Sequence, residues 1–563
     1  MSKLWKTAIL VLGLMAAHSS TEAQLADTLH NLTTSGTGTF TEPVVTELCV
    51  FCHTPHNAGP QRALWNRLLP GTAYSLYQSS TLEATLNQPT GASRLCLSCH
   101  DGTLALGNLR VPARSGATTL GPLTGRSALG ANLSDDHPVS FVYDSGLALS
   151  RGELADPSML PQAVQTDDTG QLQCTACHDA HADAFRMFLR IDDRAGELCT
   201  TCHTPRDWST STHATSPATW EGTGTDPWPN SPYISVADNG CQNCHRPHAA
   251  PRPPHLLSDA QERTVCLVCH DGNVAAKNLE SEFIKMSSHP IAASNWTHEP
   301  GEDPNTMSDH VTCVDCHNPH AVTSAPASAP VVPGPLRGVA GVNTAGSIVP
   351  EAAYEYEVCF KCHGVRDQTT PFGIVRDDNT RNVRLETSQS NLSHHAVTGI
   401  GNNPDVSGFE PGYSASSVIY CTDCHNNSDS VASTIEPRGP HGSAYGPILE
   451  RQYDMNDPTI ESFQSYELCY KCHNRSYLIN DQADTFPHNT HVQDENTPCA
   501  VCHDAHGSRQ NEHLINFMRI DPSGNLVVGP SSSTGRLEYT SLGTGTGECY
   551  LECHGEDHNP FPY

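Results

Sequence analysis

The sequence predicts loops and short helices with little β structure, folded around material other than its own side chains. Three observations lead there. Only 37% of the 563 residues are hydrophobic and 6% aromatic, below the usual range of globular domains. Glycine and proline supply 42 and 41 residues, which cut short any long helix or strand. The chain also carries 24 cysteines and 32 histidines, and these say what the fold is built around.

Residues 1–23 read as a signal peptide. Lys3 and Lys6 begin it, Ala8 to Ala17 form a short apolar run, and Thr21-Glu22-Ala23 is a small-residue cleavage site. The run is too short to span a bilayer, no later segment approaches that length, and no cysteine follows the cut as a lipid anchor. The expectation is an exported protein, extracellular or on the outer surface, with the periplasm as alternative. The net charge of -30, from 61 acidic against 31 basic residues, argues against nucleic acid or an anionic membrane as partner.

Every cysteine falls in one kind of motif. Cys-x-x-Cys-His occurs at Cys49-Cys52-His53, Cys96-Cys99-His100, Cys174-Cys177-His178 and Cys199-Cys202-His203. It recurs at Cys241-Cys244-His245, Cys266-Cys269-His270, Cys313-Cys316-His317 and Cys359-Cys362-His363. Three further copies are Cys421-Cys424-His425, Cys469-Cys472-His473 and Cys499-Cys502-His503. The twelfth has one extra residue, Cys549-Tyr-Leu-Glu-Cys553-His554. Two thiols in one short loop can form thioethers with the two vinyl groups of a heme, and the adjacent histidine then lies under the iron. Disulfides and zinc sites do not require a histidine after every second cysteine. The expected cofactor is therefore heme c, twelve copies, covalently bound.

A second axial ligand completes a low-spin iron. Twenty histidines lie outside the motifs, His18 among them in the signal peptide, whereas methionine numbers only eight. Twelve bis-histidine hemes is the simplest account. Five motifs extend to Cys-x-x-Cys-His-x-x-His and supply His56, His181, His248, His320 and His506. Three residues apart on a helical turn, two side chains project to the same side, so the second histidine suits the iron of a neighbouring heme rather than its own. His137 and His289 each precede a proline, and His30, His213, His441, His394 or His395, and His488 or His491 complete the candidates. His255, His298, His310, His513 and His558 are left over.

The motifs come in six pairs, an internal repeat. The pair starting at Cys421 lacks the extra histidine, since His425 is followed by Asn-Asn-Ser; His441 in Gly-Pro-His-Gly-Ser is its substitute. About 45 residues serve each heme, too few for a conventional core around each. The mature chain is expected as three tetraheme units, 24–206, 207–380 and 381–563, the second containing an Ala/Pro-rich extended loop at 321–350. The whole reads as a multiheme cytochrome c wrapped around a chain of stacked hemes.

These motifs resemble the doubled-CxxCH multiheme cytochromes of metal-reducing bacteria. Residues 29–206 resemble in particular the tetraheme outer-surface cytochromes that polymerise into heme nanowires. The matching segments are Leu-His-Asn-Leu-Thr (29–33), Cys-Val-Phe-Cys-His-Thr-Pro-His-Asn-Ala (49–58), Leu-Trp-Asn-Arg (64–67), Leu-Cys-Leu-Ser-Cys-His-Asp-Gly-Thr (95–103) and Asp-His-Pro-Val-Ser-Phe (136–141). The resemblance implies axial roles for His30, His56 and His137. It also implies an electron conduit whose partners are other cytochromes, copies of itself, or external acceptors such as metal oxides.

The functional expectation is electron transfer rather than catalysis. A reductase of a small nitrogen or sulfur oxyanion is the competing reading, but it needs an iron with an open axial position. No motif lacks its histidine, and the Cys549 variant is the only irregular one. A periplasmic electron store would use the same hemes and is the third reading.

Overall fold

The computed structural model describes residues 24–59, 62–291, 302–308, 310–365, 373–433, 436–480, 486–543 and 546–563. Residues 1–23, expected as a signal peptide, and His298 lie outside them. The described chain forms two compact units. One comprises residues up to Trp220 together with Thr225–Val265, and the other Glu221–Gly224 with Cys266–Tyr563. The expected boundaries near 206 and 380 do not coincide with this division. The thiols of Cys199 and Cys241 touch across the first, and those of Cys359 and Cys421 across the second.

Regular elements are short. About 22% of the chain is helical and 15% is strand, and the two longest helices are α1, Gly91–His100, and α2, Glu355–His363. Both end on a motif histidine. Most strands are two residues long and pair across large sequence separations, as Gly442–Ser443 does with Ser287–Ser288 and Gly507–Ser508 with Ser393–His394. Such ladders are too small to stand alone, so they act as clasps between loops.

One larger sheet closes the C-terminus: β1 (Val528–Gly529), β2 (Glu538–Gly543), β3 (Thr546–Cys553) and β4 (Glu556–Pro562). Strand β3 is central, with β2 and β4 antiparallel to it and β1 joined at Glu552 and Cys553.

The apolar residues gather in small separate clusters. The largest, under the C-terminal sheet, packs Ala500, Val501, Phe517, Met518, Val527, Val528, Tyr539 and Leu551, with Cys502, Cys549 and Cys553 against it. Another sets Val45 and Phe51 beside Cys52. Segment 321–350 is packed rather than extended. Its Gly341–Val342 pairs with Ile348–Val349, and Val342 is fully buried against Tyr356 and Phe360 of α2.

Candidate functional site

Nine motifs close one helical turn in the same way. The amide of the motif histidine donates to the carbonyl of the first cysteine, four residues back, as in His53 to Cys49 at 2.8 Å and His503 to Cys499 at 2.9 Å. One turn thus presents both thiols and the imidazole together. In α1 and α2 the motif occupies the last turn of a longer helix. None of the 24 cysteines is in a disulfide.

The motif rings are oriented from behind. In His53, His178, His245 and His503, Nδ1 donates to the carbonyl of Ala63, Met187, His255 and His513, at 2.5–2.8 Å. Those four residues lie nine or ten positions downstream, each in a run of consecutive left-handed residues: Ala63-Leu64, Arg186-Met187-Phe188, His255-Leu256 and His513-Leu514. Such φ values are costly for residues other than glycine. Here they return the chain beside the motif, where amide bonds such as Thr54 to Leu64 and Asn66 to Cys52, both 2.9 Å, lock it. His100, His317 and His425 donate likewise to Ser127, Pro335 and Pro447. With Nδ1 so held, Nε2 is the nitrogen left to bind a metal.

Against nine motif rings stands one expected partner ring. The centroid separation is 6.1 Å for His53–His181, His100–His30, His178–His248, His203–His137 and His317–His441. It is 6.3 Å for His425–His506, 6.4 Å for His363–His289 and His503–His488, and 6.5 Å for His473–His395. Two metal–nitrogen bonds of about 2.0 Å and two ring radii of about 1.1 Å span about 6.2 Å. The pairs therefore fit an iron held between them.

The partner rings are themselves joined in twos by main-chain bonds. His30 Nδ1 donates to Ala180 beside His181. The His137 amide donates to Pro247, next to His248, whose Nδ1 lies 2.9 Å from Asp136 Oδ1. His289 Nδ1 donates to Pro440 and its amide to His441, and His395 donates to Ala505 through its ring and to His506 through its amide. Each such clamp takes one histidine from upstream of a motif pair and the other from the first motif of the next pair, or from its substitute His441. At the pair starting at Cys499 the facing rings come instead from one loop, His488 opposite His503 and His491 opposite His558.

Burial favours the neutral form, the one that binds metal, in several of these rings. It pushes His441 down to about 3, with the facing His317 adding to the effect, and His363, His425, His473 and His488 to about 4. His506 moves the other way. Burial, the largest single effect, pulls it down, but the bond to the Glu386 carboxylate, 2.8 Å away, together with the charges of Glu386 and Asp504 raises it on balance.

The thiols connect neighbouring motifs. First cysteines touch between pairs, at Cys96–Cys174, Cys199–Cys241, Cys359–Cys421 and Cys469–Cys499. Second cysteines lie within electrostatic reach inside a pair, as Cys52 does of Cys99 and Cys177 of Cys202. Glu355 sits within 4.8 Å of the Cys359 and Cys421 sulfurs, and burial raises its carboxyl to about 7.

The remaining candidates are placed differently. His56 is exposed, and among the described residues no ring stacks on it. His394 is buried with Nε2 unpartnered, its neighbour His395 being the one that faces a motif ring. His213 lies on the turn Thr212–Thr215 and His320 follows the Cys313–Cys316 turn. His491 faces His558, one of the leftover histidines, at 6.5 Å. His554 follows no helical turn: its motif lies in β3 and its ring is bonded to Asp457.

Among the described residues no helix is long and apolar enough to cross a membrane. Residues 167–207 and 235–275 match the family described as Doubled CXXCH motif. No curated protein matches the chain. The matched segments hold two of the six motif pairs, and with the paired spacing repeated along the sequence they support a doubled-CxxCH multiheme c-type cytochrome with covalently bound heme c.

Proposed function

We propose that this cytochrome carries twelve bis-histidine hemes and passes electrons along them from one end of the chain to the other. The observation that carries this reading is the series of histidine ring pairs at 6.1–6.5 Å, in which nine motif rings each face a ring from another part of the chain. Heme c supplies reversible one-electron chemistry when bound. At these nine motifs the facing histidines would hold an iron from both sides and leave no room there for a small substrate. The alternating contacts of first and second cysteines support close heme-to-heme spacing within each unit. Mass spectrometry of the mature protein tests the count and should give twelve hemes. Electron paramagnetic resonance of the oxidised protein should show low-spin iron alone. A high-spin signal that shifts with nitrite or hydroxylamine would instead establish a reductase.

Export to the outer surface, with delivery to metal oxides or other external acceptors, follows from the leader-like start and the acidic charge. A filament is favoured by one further observation. In the repeat, the second histidine of a pair's first motif faces a ring of another pair, as His181 and His248 do, whereas His56 is exposed and, among the described residues, no ring stacks on it. Electron microscopy of secreted, heme-stained material should show filaments, and His56→Ala should abolish them while leaving the spectrum of the single chain unchanged. Isolated particles from the native protein would make it a monomeric carrier.

A further inference from the structure

The loop after the first motif is tied to the first two motifs through three consecutive residues. The Asn66 amide donates to the Cys52 carbonyl at 2.9 Å, the Trp65 indole to Ser98 Oγ at 3.3 Å, and the Arg67 guanidinium to the Ser98 carbonyl at 3.1 Å. Arg67 donates also to the carbonyls of Ala105 and Leu106, at 2.9 and 2.5 Å. It is 1% exposed.

A guanidinium stays charged wherever it lies, and burying one is destabilising unless a carboxylate answers it. Among the described residues the oxygen partners of Arg67 are all main-chain carbonyls, and its Nε is buried with no partner. Asp101, whose charge also reaches Cys99, is bonded to Tyr74 and Thr103 at 2.8 Å each. Burial pushes the thiols of Cys52 and Cys99 up, and the charge of Arg67 opposes it at both.

The arrangement recurs with other residues. In the pair starting at Cys313, Lys361 donates to the Asp315 carbonyl and its charge reaches Cys316 and Cys362. In the pair starting at Cys421, Lys471 donates to the Asp423 carbonyl at 2.6 Å and reaches Cys424 and Cys472. Ser98, Asp315 and Asp423 each stand just before the second cysteine of a motif. The three side chains differ in type and in place along the chain, and share a positive charge at both second cysteines of a pair. Lys471 is answered by the Glu450 carboxylate at 2.6 Å, whereas Arg67 has no such partner.

We propose that Arg67 raises the reduction potentials of the two hemes of the first pair. Reduction adds one electron to an iron and lowers the charge of its site by one, with no bond made or broken. A fixed positive charge beside the attachment sulfurs therefore favours the reduced state over the oxidised one. This rests on the reading of Cys49–His53 and Cys96–His100 as heme sites.

The test uses the full-length mature protein with its hemes, followed by absorption in a potentiometric titration. Arg67→Gln keeps a donor for the carbonyls and removes the charge. It should shift the reduction equilibrium of two hemes toward the oxidised form by on the order of tenfold, about 59 mV each for one electron, with both hemes still low-spin. Arg67→Lys keeps the charge and should hold those two potentials near the original. Arg67→Met fills the same space without charge, so it serves where the glutamine variant fails to fold, and should show the same fall. Unchanged potentials in either neutral variant, or an equal fall in Arg67→Lys, would overturn the proposal. Peptides of the unmodified protein that carry no heme at Cys49–His53 or Cys96–His100, read by mass, would instead overturn the heme sites themselves.

Discussion

At the scale of single residues, the chemistry is set by what lies behind each imidazole. Spacing alone reveals the cysteines and the histidines that follow them, because thioether attachment fixes the order of residue types. It does not reveal Ala63, Met187, His255 or His513, whose contribution is a carbonyl. Any residue has one, so it leaves no mark in the sequence. The recurring hydrophobic residue after each, such as Leu64, Phe188, Leu256 and Leu514, was the available signal. Replacing a facing ring should open one iron: His441→Ala should give one high-spin heme and leave the others low-spin, read by magnetic resonance. Glu355 gives a prediction in pH. Burial raises its carboxyl from 4.5 to about 7, so the folded state holds a proton that the unfolded chain has lost across that window. Stability therefore falls as pH rises from about 4.5 to 7, by about 3 kcal/mol in all. Glu355→Gln should flatten this fall, which thermal melts at pH 5 and pH 8 would reveal.

At the scale of elements, the two-residue ladders matter more than their length suggests. Gly442 and Gly507 each follow a clamp histidine, and each strand presses closely on a neighbouring chain. A Cβ on Gly507 would lie 2.2 Å from the Glu386 carbonyl oxygen, and one on Gly442 1.8 Å from that of Glu282. Gly507→Ala must therefore push the ladder with Ser393–His394 apart, moving His506 and His395 together. It touches no iron-facing ring, yet two hemes should change spectrum at once. A change confined to one heme would mean that the two rings are positioned independently. Sequence periodicity could not find these ladders, since two residues carry no alternation.

At the scale of the whole molecule, the polypeptide has little core of its own. Its largest apolar cluster holds eight buried residues, and the others are smaller and separate. The low hydrophobic content already indicated a fold built on its cofactor, and the short elements agree with it. The division into two units was not legible, because contacts between distant loops decide it and no linker marks it. Expressed without heme attachment, the chain should show no cooperative thermal transition by circular dichroism. A sharp melt of the heme-free chain would show that side-chain packing suffices.

The clamps also limit how such a protein can change in length. In four of the motif pairs the first motif ring faces a histidine supplied by the following pair: His181, His248, His441 and His506. Removing a whole pair leaves the remaining accounts balanced, because the next pair lends in the same way. Removing half a pair strands an iron on one side and a histidine on the other. Gain and loss of chain should therefore come in steps of two hemes.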